Sequence, residues 1–436
     1  GFVSLIVKER LYLSESLVAT LIGIIIGPVC AGLLDPAKWP METHKVTLAF
    51  TEIVIAIQVM AASIALPRSL WKDQRGSLAM LYGPVMMWMW LVSALLIWLI
   101  LPVPWTQCLI LAAALAPTDP VLANSLMTGR FADKYISVPI RHLLSGESAA
   151  NDGLAVPMFQ LGIYLTSYPT KEAWGTWAYH VVLYEIGVGI VFGALVGYVA
   201  KCMLRASEKR NYIDKRSFLS VEVALALFVL GFASMLQLAS FLSVFATGLI
   251  FAWDGWFTEE TEEAHVQEVI DNLVNMTFFI YFGAIIPWST FNQYYALPKL
   301  VLLSVLLLIL RRLPPVLALH HYLPVLTRRP ALLTRREALL VGYFGPVGVG
   351  ALWYVNYAYD KGAIGEEGMT IVSWVVWCAV VVYGITAVLM HGLVRTLSVV
   401  RVYSGRSLNG RTLSLPSAIR GAPMWPSNVR VAAVWS

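Results

Sequence analysis

The chain has 436 residues, of which 58% are hydrophobic and only 13% charged, with a formal net charge of +5. That is too little charge to keep a chain of this length in solution, and its basic residues lie between apolar runs, which argues against a nucleic-acid role. Runs of about 20 apolar residues recur from end to end, each long enough to cross a bilayer as a helix, whereas a β-barrel would show short alternating segments.

The fold class expected is an all-α polytopic membrane protein. About 13 spans are predicted, over 1–8, 13–34, 46–66, 77–101, 105–127, 138–165, 176–203, 217–236, 238–254, 270–288, 297–322, 336–358 and 369–394. The eighth and ninth are alternatively one bent hairpin. The first is incomplete, as expected of a piece of a longer protein, and no cleavable signal peptide is recognised. Cys30, Cys108, Cys202 and Cys378 are far apart, with neither metal-site nor disulfide spacing, and read as small core residues.

Basic residues set the orientation. One set of loops and the C-terminal tail hold 23 Lys and Arg, and the alternate loops hold five. The first set, with the tail at 395–436, is therefore expected on the cytoplasmic side. Its loop 254–269, "DGWFTEETEEAHVQEV", is acidic and reads as a solvated loop or an amphipathic helix at the inner surface. Trp and Tyr near span ends, as in "WYVNYAYD", read as interface anchors.

In the third span, Gln58 is polar among apolar neighbours and suits a helix–helix hydrogen bond. The fifth span, "LILAAALAPTDPVLANSL", carries Pro117 and Pro120 in its middle. Each proline removes a backbone donor and clashes one turn back, so a break is predicted there, with Asp119 as N-cap of a second half-helix. In the twelfth span, "GYFGPVGVGALW", Gly342, Gly345, Gly348 and Gly350 surround Pro346, and a second break is predicted. With the seventh span, 176–203, set aside as a linker, the breaks fall fifth in each of two six-helix halves and run in opposite directions. Interrupted segments at matching positions of inverted repeats point to a transporter site.

The sixth span contains "SGESAANDGLAVP". Ser148 and Asp152 are four residues apart and share a helix face, with Asn151 beside them. Glu147, five before Asp152, points about 140° away. The two acids are thus expected to serve different purposes. Asp152, Asn151, Ser148, Thr118 and Asp119 make an all-oxygen acidic cluster suited to a hard cation. A bare buried carboxylate is costly, and either a proton or a cation relieves the cost. Competition between the two is the basis of an exchanger. Glu147 needs a countercharge, which Arg311 or Arg312 in "LILRRLPPVLAL" of the eleventh span supplies. Glu185 and Glu222, isolated acids in spans, read as structurally paired.

Six segments, "APTDPVLANSL", "SGESAANDG", "FAWDGWFTEETEEAHVQEVID", "FFIYFGAIIPW", "RRLPPV" and "GYFGPVGVGAL", resemble the fungal plasma-membrane sodium/proton antiporters of the cation–proton antiporter family. The resemblance covers about residues 5–394. It implies a homodimer in the plasma membrane, with a scaffold domain (1–66 and 217–288) and a core (77–165 and 297–394) that moves like an elevator. It also implies an ion site at Thr118, Asp119, Asn151 and Asp152 with Ser148, Na⁺ being held at Asp152 and Asp119. Glu147 pairs with an arginine of the eleventh span, Arg312 by its spacing to the following valine. Some relatives carry an acid ligand in the third span, where this chain has Gln58. No cofactor is implied. The transported partners are monovalent cations (Na⁺, Li⁺ or K⁺) and protons. A fragmentary first helix and a short basic tail in place of a long hydrophilic one are departures from the family.

Two other classes fit the sequence less well. An intramembrane aspartyl protease also uses two buried aspartates, but neither "PTDP" nor "AANDG" supplies a Gly-x-Gly-Asp type site. A cation channel calls for a repeated filter or a ring of acids, and neither is recognisable.

Overall fold

The structure is a computed structural model, and it describes residues 14–120, 122–123, 136–210, 212, 218–261, 266–320 and 334–407. The first half-span, the second half of the 105–127 span beyond residue 123, part of the acidic loop and the tail beyond 407 lie outside these residues.

Among the described residues every regular element is helical. The longer helices begin with α1 (Glu15–Ile26), α2 (Thr43–Ile64), α3 (Arg75–Ile100), α4 (Trp105–Leu115), α5 (Val138–Leu154), α6 (Val156–Ser167) and α7 (Thr170–Lys209). After these come α8 (Phe218–Met235), α9 (Ser240–Phe251), α10 (Val266–Ile285), α11 (Leu297–Leu310), α12 (Leu313–Leu319), α13 (Arg335–Tyr343), α14 (Val349–Asp360) and α15 (Glu366–Ser407). Residues up to Val388 form one compact unit. Those from Leu389 form a second, helical to Ser407 in its described part.

Among the described residues, five stretches are long and apolar enough to cross a bilayer: Thr43–Ile64, Arg75–Ile100, Thr170–Lys209, Leu297–Leu319 and Glu366–Thr386. Several expected spans are not single helices. The 138–165 span is divided at Ala155, ahead of Pro157, into α5 and α6. The 297–322 span is interrupted at Arg311 and Arg312, ahead of Pro314 and Pro315. In both, a proline lacks the N–H that would carry the ladder through. Pro84 has a milder effect, widening α3 into a π-turn over Leu81–Val85. The eighth and ninth spans are separate helices, α8 and α9, turned through Gln237 at φ 54°.

Helix α2 is the hub of the fold. It packs against α5, α8, α9, α10 and α14. Thr47 and Thr51 donate to carbonyls one turn back, at 2.7 Å each. Gln58, 2% exposed, donates from Nε2 to Asn275 Oδ1 of α10. Gln58 thus makes a helix–helix bond between α2 and α10. Helix α5, carrying the "SGESAANDG" motif, is packed between α2 and α9.

Candidate ion site at the crossing of two broken helices

Helix α4 stops at Leu115, where Pro117 and Pro120 withhold two donors. Helix α13 stops at Tyr343, and α14 begins only at Val349. The two gaps meet. The Asp119 N–H donates to the Pro346 carbonyl at 2.8 Å, and the Val349 N–H donates to Asp119 Oδ2 at 2.9 Å. The other carboxylate oxygen, Oδ1, accepts the Leu122 N–H at 3.0 Å. Asp119 is therefore a cap for two helix N-termini at once, its own and that of α14. Each N-terminus carries partial positive charge, which suits an acid. A side chain on Gly348 is sterically excluded, since a Cβ there would lie 1.9 Å from Asp119 Oδ2.

Helix α5 brings its polar residues to the same place. Thr118 Oγ1 lies 3.1 Å from Ser148 Oγ and accepts a hydrogen bond from Asn151 Nδ2 at 2.8 Å. Asn151 Oδ1 is buried and accepts no hydrogen bond among the described residues. Asp152, 3% exposed, sets its carboxylate against the backbone of α14, where a Cβ on Gly350 would lie 2.2 Å from Oδ1. The Tyr354 hydroxyl of α14 donates to the Asp152 carbonyl and fixes that turn of α5. Thr118, Asp119, Ser148, Asn151 and Asp152 are all buried. The site thus gathers one carboxylate pinned by two N–H groups (Asp119), a second carboxylate (Asp152), two hydroxyls and an unpaired amide oxygen.

Glu147 faces elsewhere, as its helical angle predicts. Both of its oxygens accept from the Arg312 guanidinium, whose Nε also donates to the Val341 carbonyl at 2.9 Å. The pair is 1% and 2% exposed and joins α5 to the start of α12 and to α13. Arg311, the alternative partner, is turned the other way and donates to the carbonyls of Leu115 and Gly345. A cavity of about 700 Å³ reaches the start of α6, one turn beyond Asp152. Its wall includes Glu52, Val156, Gln160, Glu185, Phe241 and Trp353. Glu185, expected to be structurally paired, meets His180 Nδ1 at 3.1 Å on the wall of this cavity.

The chain that carries these two interrupted helices has relatives among known proteins. Residues 2–391 match the family described as sodium/hydrogen exchanger, transmembrane. The chain belongs to the sodium/hydrogen exchanger family. It is 38% identical to a Na⁺/H⁺ antiporter of Saccharomyces cerevisiae, over 95% of this chain and 43% of that protein. It is 40% identical to Na⁺/H⁺ antiporter 2 of Zygosaccharomyces rouxii, over 81% of this chain and 43% of that protein. A Schizosaccharomyces pombe Na⁺/H⁺ antiporter is 33% identical, over 81% of this chain and 75% of its own length. The chain thus spans less than half the length of the first two relatives. The solved sodium proton antiporter of Methanocaldococcus jannaschii superposes with a TM-score of 0.66 at 16% identity, over 89% of this chain and 92% of that one, and so shares the fold.

Several contacts of the candidate site leave no mark in the sequence. The Val349 N–H has no side-chain signature. Tyr354 looks like one more interfacial aromatic, and Gly350 looks like part of a loose backbone rather than a seat for a carboxylate. Arg311 looks like a spare for Arg312.

Proposed function

We propose that the chain is a secondary active antiporter that exchanges cytoplasmic Na⁺ for external H⁺ at Asp152, with Li⁺ as a further substrate. The observation that carries this is the cluster of buried oxygens around the crossing, with Asn151 Oδ1 left unbonded. A hard monovalent cation takes oxygen ligands, and a proton takes the same carboxylate. Asp152 is the group that alternates between them. Asp119, with both oxygens already engaged by N–H groups, contributes negative charge and fixes Thr118. Thr118, Ser148 and Asn151 supply neutral oxygens.

A bare carboxylate is costly to carry through a low-dielectric barrier, and either cargo removes that cost. The site therefore changes sides when it holds a proton or a cation and resists doing so empty, and this is what couples the two fluxes. The family resemblance supports a moving core (77–165 and 297–394) against a scaffold (1–66 and 217–288), a homodimer, and a plasma-membrane location with the 395–436 tail in the cytoplasm. The cavity beside α6 is the natural aqueous approach. A K⁺-preferring exchanger is the runner-up, since the same ligand set accepts a larger cation.

Purified protein in proteoliposomes, with the membrane voltage clamped and an imposed pH gradient, tests the reading. Addition of Na⁺ or Li⁺ should dissipate the gradient. A response to K⁺ alone selects the runner-up, and no response to any of the three cations contradicts the proposal.

A further inference from the structure

Helix α7 is π-helical over Trp177–Val188, where hydrogen bonds span five residues rather than four. Such stretches are rare and recur at functional sites. Here the wider turn decides how two side chains meet. His180 and Glu185 are five residues apart, and the 100° step of an α-helix would point them about 140° from one another. In the π-helical turn His180 Nδ1 lies 3.1 Å from Glu185 Oε1. The turn is also held from outside, since the Ala239 N–H ahead of α9 donates to the Glu185 carbonyl at 2.9 Å.

The pair lies on the wall of the cavity of about 700 Å³. Helix α6 lines the same cavity with Val156, Gln160, Tyr164 and Ser167, a stripe at helical spacing. Ala155 keeps right-handed helical backbone angles, so this stripe continues the Ser148–Asp152 face of α5, with Val156 the next position after Asp152. Glu52 of α2, which accepts from Ser234 Oγ at 3.3 Å, and Lys361, just past the end of α14, also line the cavity, together with Tyr168 and Tyr357. The loops ahead of α2 and after α6 and α14 belong to the set poor in Lys and Arg, so the cavity lies toward the side expected to be external.

We propose that the His180–Glu185 pair is the external proton-collecting station of exchange, taking protons at the cavity wall and passing them through cavity water to Asp152. Such a station answers a shortage. Free protons at about pH 8 are at about 10⁻⁸ M, so even at about 10¹⁰ M⁻¹s⁻¹, the upper end of the diffusion limit, a single group is met only about 100 times per second. A buried group behind a cavity is met less often still. Imidazole is the side chain whose charge changes between about pH 5 and 8, and a carboxylate beside it holds the imidazolium form. The proton is taken from external water onto the imidazole, returns to water inside the cavity, and is accepted by the Asp152 carboxylate as its cation leaves. Glu52 adds negative charge to the same wall and Lys361 opposes it, while Tyr164, Tyr168 and Tyr357 supply hydroxyls.

This inference rests on the exchange reading above, and wild-type exchange at an external pH of about 6, where protons are plentiful, serves as its control. His180→Gln and Glu185→Gln both keep a hydrogen-bonding side chain and remove a titrating one. They are compared with wild type in oriented, Na⁺-loaded proteoliposomes across external pH, in dilute and in concentrated HEPES, a membrane-impermeant buffer. At about pH 8 in dilute buffer the variants should exchange about tenfold or more slowly than wild type, the low end of what charged clefts add to arrival rates. At about pH 6 they should match it, and concentrated HEPES should restore the rate at about pH 8 by carrying protons in place of the pair. The half-saturating internal Na⁺ should not change. If Glu185→Gln does not fold, His180→Gln carries the test, its side chain being 42% exposed. Wild-type exchange at every pH overturns the proposal, and so does a loss equal at both pH values and indifferent to buffer, which makes the pair structural. Absence of wild-type exchange at about pH 6 instead contradicts the function, and the inference falls with it.

Discussion

Gly350 and Asp152 are in contact across two helices: a Cβ added to Gly350 would stand 2.2 Å from Asp152 Oδ1. The atom it would strike is the end of a side chain that can rotate, not backbone. Gly350→Ala should therefore displace the carboxylate more than it destabilises the fold. The expected result is a loss of exchange of about tenfold or more with a melting temperature close to wild type, since small misplacements of a reacting group cost that much. Exchange kinetics at wild-type level in Gly350→Ala would place Asp152 outside the ion path.

Asp119→Asn leaves one acceptor oxygen where two are used. Its amide nitrogen would face an N–H, either that of Leu122 or that of Val349. Loss of one buried charge-assisted bond costs about 1–3 kcal/mol. A lower melting temperature and a higher half-saturating Na⁺ concentration are both expected. Retention of wild-type Na⁺ affinity with reduced stability would limit Asp119 to capping.

The Glu147–Arg312 pair is expected to be structural. Glu147→Gln or Arg312→Gln strands one buried charge, at about 3–5 kcal/mol. The double variant strands none and should recover part of the loss. Melting temperatures of the four proteins in one detergent give the coupling. Additive losses would mean that the contact contributes no coupling.

Gln58→Leu removes the bond to Asn275 and should cost about 1 kcal/mol, the net worth of a typical side-chain hydrogen bond. Half-saturating Na⁺ should not change, because Gln58 ties α2 to α10. A large change in Na⁺ affinity would make Gln58 a ligand.

The parts of this site that are legible in the sequence follow from local rules. Pro117 and Pro120 cannot continue a helix, so the first break is visible, and Asp119 ahead of Pro120 announces a cap. The 100° step per residue separates Glu147 from Asp152 before any coordinates exist. What is not legible is long-range. Two adjacent arginines are equivalent in sequence, and only the fold decides that Arg312 meets Glu147 while Arg311 meets two carbonyls. Ser148 and Asn151 look like direct companions of Asp152, yet both are bonded to Thr118 across the crossing. The break at Ala155 is not legible either, because Pro157 can sit in the first turn of a new helix as readily as it can kink an old one.

The most direct test of the account is Na⁺-driven proton movement by purified Asp152→Asn in proteoliposomes beside the wild type, with folding checked by size-exclusion profile and melting temperature. The amide cannot alternate between a proton and a cation at neutral pH. The account predicts a folded protein with no exchange above empty liposomes. Na⁺-driven proton movement at a substantial fraction of the wild-type rate would contradict it.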